Sequence, residues 1–146
     1  MVNTPLKAVY YYDESLKYCP VKKYLGCLSP VDRDSEDVKA RKVKLLIDID
    51  NKIQKLLENN CHPIPPIAKS LKGFGVIEIR QRKDEDILIR IIYFRCDNMM
   101  VLLHGFEKQD DYDSIKIKRE IKKQYKIAEA YKKAFILSKK LYEEYK

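Results

Sequence analysis

The chain has 146 residues, with 30 Lys and Arg against 22 Asp and Glu, a formal net charge of +8. Hydrophobic residues make up 45%, which suits one cored domain spanning residues 1–146 and leaves no room for two of ordinary size. No run approaches the roughly 20 apolar residues of a membrane helix, and no basic start leads into the apolar stretch of an export signal, so a cytoplasmic protein is expected.

In chain order, Lys7-Ala-Val-Tyr-Tyr-Tyr12 is rich in β-branched and aromatic residues and stops at Asp13-Glu-Ser15, the pattern of a strand ending in a turn. Pro20 fits the first position of a short helix that Ser29-Pro30 closes. Ser35 then suits an N-cap ahead of a long helix to Glu58, with Val38, Leu45, Leu46, Ile49, Ile53, Leu56 and Leu57 along one face. Three prolines in Cys61-His-Pro-Ile-Pro-Pro-Ile67 forbid regular structure and deliver the chain to a sheet.

Val76–Arg82, Ile87–Arg95 and Met99–Phe106 are joined by connections short enough for hairpins, so three neighbouring antiparallel strands are expected. From Ser114 to Tyr145 apolar residues recur at helical spacing, and residues from about 136 to 146 read as a helical extension. The order is that of an α+β domain with its helices stacked on one side of a small sheet. Cys19, Cys27, Cys61 and Cys96 show no CxxC spacing, and His62 and His104 complete no zinc set. All four thiols are expected to be reduced packing residues.

Charge is uneven along the chain. Residues 1–60 carry 11 cations and 9 anions, net +2, whereas residues 61–146 carry 19 and 13, net +6. The cations Arg80, Arg82, Arg90, Arg95 and Lys108 interrupt strand segments that alternation would make apolar. Strand parity puts Glu78, Arg80 and Arg82 on one face. A three-residue loop at Asp84–Asp86 would set Arg80 directly opposite Arg90, a pairing that makes sense when an anion sits between them. The bland alternative is a surface arginine pair neutralised by Glu78. Lys116, Lys118, Arg119 and Lys122 open a C-terminal segment with 11 cations against 4 anions between residues 116 and 146, either a solvated face or an extension of a phosphate-binding surface. His104 and Tyr112 are weaker candidates for acid–base work, His104 also reading as a structural histidine and Tyr112 as a stacking residue.

Several segments in sequence order resemble the phage-derived branch of the RelE/HigB toxins of bacterial toxin–antitoxin systems. They are Tyr10-Tyr-Tyr-Asp13, Pro20-Val-Lys-Lys-Tyr-Leu25, Lys69-Ser-Leu-Lys-Gly73, Glu78-Ile-Arg80, Arg90-Ile-Ile-Tyr-Phe94, and Leu103-His-Gly-Phe106 followed by Lys108. The resemblance runs from about residue 8 to about 135. It implies a RelE-like sheet with two N-terminal helices packed on one face and a long C-terminal helix. It also implies an mRNA interferase, a hydrolytic RNA-binding toxin that cuts mRNA on the ribosome without metal or other cofactor. Its partner would be an antitoxin of helix-turn-helix type. Arg80, Arg90 and Lys108 fall at the family's basic active-site positions, with Arg82 auxiliary.

Such chemistry suits these residues, because RNA supplies its own nucleophile. The 2′-hydroxyl attacks the adjacent phosphorus, arginine forks hold the developing charge, and Lys108 assists the leaving 5′-oxygen. Tyr112, His104 and Glu78 are the candidates for taking the 2′ proton. Two other readings stay open. One is a gyrase-poisoning toxin of the same fold; the other is a non-catalytic antitoxin-binding member, which the acidic run Gln109-Asp-Asp-Tyr-Asp113 would suit.

Overall fold

A computed structural model describes residues 5–109, 115–137 and 141–145. These form β1 (Lys7–Tyr11), α1 (Pro20–Cys27), α2 (Glu36–Glu58), β2 (Ala68–Leu71), β3 (Val76–Arg82), β4 (Ile87–Cys96), β5 (Met99–Gln109), α3 (Ile115–Leu137) and β6 (Tyr142–Glu144). One six-stranded sheet runs in the order β2-β3-β4-β5-β1-β6. Every pairing is antiparallel except β1 on β5. No helix among the described residues is long and apolar enough to cross a membrane.

Local chemistry accounts for the element boundaries. Pro20 occupies the first turn of α1, where its missing N–H goes unneeded. The Ser35 hydroxyl accepts from the Val38 amide at 3.3 Å, and Glu36 and Asp37 complement the positive end of α2. Between β2 and β3 the chain turns through Gly73 at φ 86° and Gly75 at φ 67°, left-handed backbone that a side chain would strain.

The β3–β4 hairpin closes with the Lys83 amide donating to the Ile87 carbonyl, and Arg80 stands opposite Arg90, the register expected from a three-residue loop. On β5 a bulge at Leu103 brings Leu103 and His104 toward the same side of the sheet.

The helices do not share one side. Ile89, Ile91, Tyr93, Met100 and Leu102 face α1 and α2, where they meet Val21, Leu28, Ile49, Ile53 and Leu56. On the opposite face Ile92, Phe94, Val101, Leu103 and Phe106 pack on Ala128 and Phe135 of α3. The expectation of helices stacked on one side is therefore corrected to helices on both sides. The reason is that β4 is apolar on both of its faces, so each face needs a cover.

The two N-terminal helices share one face of the sheet but stand apart. α1 packs on β5 and β1, α2 reaches β1 and β3, and a groove of about 580 Å³ lies between them, floored by Tyr10 and Tyr145. Gly105 allows the α1 contact: a Cβ there would sit 2.7 Å from the Tyr24 ring.

The expected helical extension is corrected too. Tyr142–Glu144 form a strand on β1, framed by the Tyr12 amide donating to the Leu141 carbonyl and the Tyr145 amide to the Ala8 carbonyl. Lys7–Glu144 and Lys22–Glu143 ion pairs and the Tyr145 hydroxyl, donating to Asp50 at 2.6 Å, fasten it. A free β1 edge outcompetes helix propensity there. Of the four free thiols, Cys19 and Cys61 are buried and Cys96 half-buried, but Cys27 is exposed and is not a packing residue.

Candidate nucleic-acid interface

Registers across β3, β4 and β5 collect the cations on one face. Arg82, Leu88 and Lys108 form one row, Arg80, Arg90 and Phe106 the next, and Glu78, Ile92 and His104 a third. Lys69 of β2 continues the third row beside Glu78. This is the face that α3 covers: it packs mainly on β5 and β4 and reaches the β2–β3 side through Tyr125, against Phe74, and Lys132, on the Gly75 carbonyl, so Val76 and Glu78 are buried while Lys69, Arg80 and Arg82 stay partly or fully exposed. An open flank thus remains between α3 and the outer strands. The basic residues sit along it.

The anion between Arg80 and Arg90 is the protein's own. Glu78 is wholly buried and receives Arg80 Nε at 2.8 Å and Arg90 Nη1 at 3.1 Å on Oε1 and 3.3 Å on Oε2. Arg90, 7% exposed, also donates from Nη1 to the Tyr125 hydroxyl at 3.0 Å. Burial, reinforced by the Glu78 carboxylate, pushes the Tyr125 hydroxyl up to about 12, so it stays protonated at neutral pH. Two guanidiniums facing each other across strands repel; one buried carboxylate makes the pairing tolerable and leaves a net positive charge.

The two arginines are not equivalent. Arg90 is a buried strut beneath α3. Arg80 keeps 35% of its side chain exposed, and its terminal nitrogens have no hydrogen-bond partner among the described residues.

Lys108 is 34% exposed, with Nζ 3.7 Å from Oε1 of Glu120 on α3. A hydrogen bond from Gln124, with Lys108 nearby, holds the Glu120 carboxyl below its ordinary range, so it is ionised at neutral pH. Arg82 lies on the same face, exposed, donating to the Glu85 carbonyl at 3.2 Å. Lys116, Lys118, Arg119 and Lys122 are all exposed on α3, and Lys118 and Lys122 share the side of Tyr125 by helical spacing.

The remaining candidates lie elsewhere. His104 is packed between Phe106 and Tyr131, its Nε2 lies 2.6 Å from Gln124 Oε1, and burial pushes its pKa down. Tyr112 lies outside the described residues. Arg95 stands at the far end of β4, donating to the Asn60 carbonyl at 3.3 Å.

Sequence reasoning missed Tyr125 and Glu120, whose helical spacing pointed only to core and solvent. It also missed the basic flank formed by Lys69, Lys72 and Arg80 around a cavity of about 410 Å³. Two larger cavities, about 640 and 580 Å³, each collect a single cation, Arg95 in one and Lys22 in the other. No family model, curated protein or solved structure matches this chain.

Proposed function

We propose that this chain is a toxin of RelE/HigB kind that binds single-stranded RNA along the α3–β3 flank and cuts mRNA without a metal. The observation that carries the reading is the exposed convergence of Arg80, Arg82 and Lys108 on one sheet face, beside the exposed cations of α3. Phosphate charge dominates affinity for nucleic acid, and such a surface suits it.

In this reading the 2′-oxygen attacks the adjacent phosphorus, a 2′,3′-cyclic phosphate forms, and the bond to the 5′-oxygen breaks. Arg80 offers its free terminal nitrogens to the phosphoryl oxygens. Arg90 acts one step back: it holds Glu78, which fixes the Arg80 fork. Lys108 gives its proton to the departing 5′-oxygen. Glu78 and His104 are withdrawn from the surface, so Glu120 beside Lys108 is the carboxylate left to take the 2′ proton, a weak base because its pKa is held low. A RelE-like fold, a cytoplasmic site of action on the ribosome and an antitoxin that covers this flank belong to the same proposal.

The test is induction of the chain in a permissive host with mapping of mRNA 5′ ends. New ends are expected with the intact chain. Lys108→Ala and Arg80→Ala should each reduce cleavage on the order of a hundredfold, the typical effect of removing one transition-state donor. Intact mRNA under growth arrest would contradict the reading.

A second reading is favoured by one specific observation. Arg80, Arg90 and Lys108 each have a carboxylate within 4 Å, as a non-catalytic antitoxin-binding member would. It predicts no growth arrest on induction and a stable complex with the antitoxin.

A further inference from the structure

Resting on the RNA-directed reading above, we infer that the cavity between the β2–β3 hairpin and α3 is a binding site for one nucleotide unit of single-stranded RNA. Its base would lie against Phe74 and Tyr125, and its phosphate between Lys69, Lys72 and Arg80.

The cavity has a volume of about 410 Å³, room for a base and its phosphate, and Ser70 adds a hydroxyl to its lining. Lys69 and Lys72 are exposed and have no ion partner among the described residues, unlike Lys7, Lys22, Lys42 and Lys44, which all do. Arg80 brings a guanidinium whose Nε is spent on Glu78 while its outer nitrogens have no hydrogen-bond partner among the described residues. Three cations with unspent donors around one hollow can hold an anion.

The ring chemistry is as specific as the charge. Phe74 and Tyr125 meet edge to face at 5.6 Å, and both line the hollow. The Tyr125 hydroxyl is held by Arg90, which fixes the ring. A second tie holds the hairpin itself: Lys132 of α3 donates to the Gly75 carbonyl at 2.8 Å. Fixed rings beside unpaired cations suit stacking of a base with capture of its phosphate, the pattern of single-strand recognition. An inorganic anion would use the cations and ignore the rings.

The experiment measures binding of a fluorescein-labelled ten-nucleotide RNA carrying 2′-O-methyl groups, which cannot be cut because the attacking hydroxyl is blocked. Lys69→Ala/Lys72→Ala, a change of two exposed residues, should weaken binding about tenfold at low salt and lower the salt slope by roughly 0.7 for each phosphate no longer neutralised. Phe74→Leu should weaken it about tenfold with the salt slope unchanged. Photo-crosslinking of the same RNA carrying 4-thiouridine should label the peptides that contain Phe74 or Tyr125.

Wild-type affinity in the double lysine variant, while the intact chain still binds and cuts RNA, would overturn this site and leave the proposed function standing. No RNA binding by the intact chain would overturn both. Competition by a nucleoside monophosphate no stronger than by inorganic phosphate would overturn the role given to the rings.

Discussion

Glu78 sets the behaviour of the residues around it. Replacing it with Gln keeps the shape but leaves Arg90 buried without a counter-charge, and removing one member of a buried pair costs about 3–5 kcal/mol. Urea denaturation of Glu78→Gln should show a loss of that size, and Arg90→Ala, which strips Glu78 of its innermost partner, should resemble it. Loss of activity in Arg90→Ala would therefore report mainly on folding, whereas Arg80→Ala and Lys108→Ala, at half-exposed positions, test chemistry. Sequence alone carried the hint: Arg90 shares parity with Leu88, Ile92 and Phe94, an apolar company that signals burial. The partner was harder to see, because Glu78 and Arg90 lie 12 residues apart in sequence and meet only in the folded register.

His104 gives a pH dependence at the same scale. Burial lowers its pKa in the folded chain below the ordinary 6.5, so the unfolded chain binds the proton more readily. Its contribution is therefore complete above about pH 6.5 and is lost as pH falls through that ordinary value toward the lower folded one. Urea midpoints should drop between pH 7 and pH 5, and His104→Gln should flatten that drop. A rise in midpoint on acidification would contradict the assignment.

Elements were legible where pattern and chemistry agreed. β3 has the expected bounds, Val76–Arg82, because Gly75 and Lys83 mark its ends and its alternation is clean. Ser35 caps α2 as expected, and Ser35→Ala should cost about 1 kcal/mol. β2 escaped notice because Ala68–Leu71 has only four residues, follows a proline-rich segment and gains its structure from pairing with β3. β6 escaped for the opposite reason: a segment rich in Lys, Leu, Tyr and Glu reads as helix, and only the open edge of β1 makes it a strand. Removing residues 138–146 should lower stability on the order of 3 kcal/mol, the sum of a half-buried aromatic and a few hydrogen bonds, with the exposed ion pairs adding little. Gly105→Ala should also destabilise, by about 1–3 kcal/mol, since the new Cβ meets a packed ring rather than a flexible chain end.

At the scale of the molecule, the main correction is the third layer. A helix laid across β4 and β5 buries half of the cationic face and turns Arg90 into a structural group. Toward the outer strands α3 offers Tyr125 and Lys132, and beyond them the exposed cations line a flank instead of a flat sheet. That division was not readable from periodicity, which shows that α3 has an apolar side but not which face of the sheet receives it. α2 carries exposed cations of its own, Lys44 and Lys55, on the opposite side of the molecule. Net charge alone would make both sides bind RNA equally.

The most direct test of the account compares these two sides. Binding of the uncleavable RNA would be measured for Arg80→Ala/Lys108→Ala and for Lys44→Ala/Lys55→Ala, which change net charge equally. A loss of about tenfold or more is expected for the first pair and no change for the second. Equal losses for both pairs would contradict it.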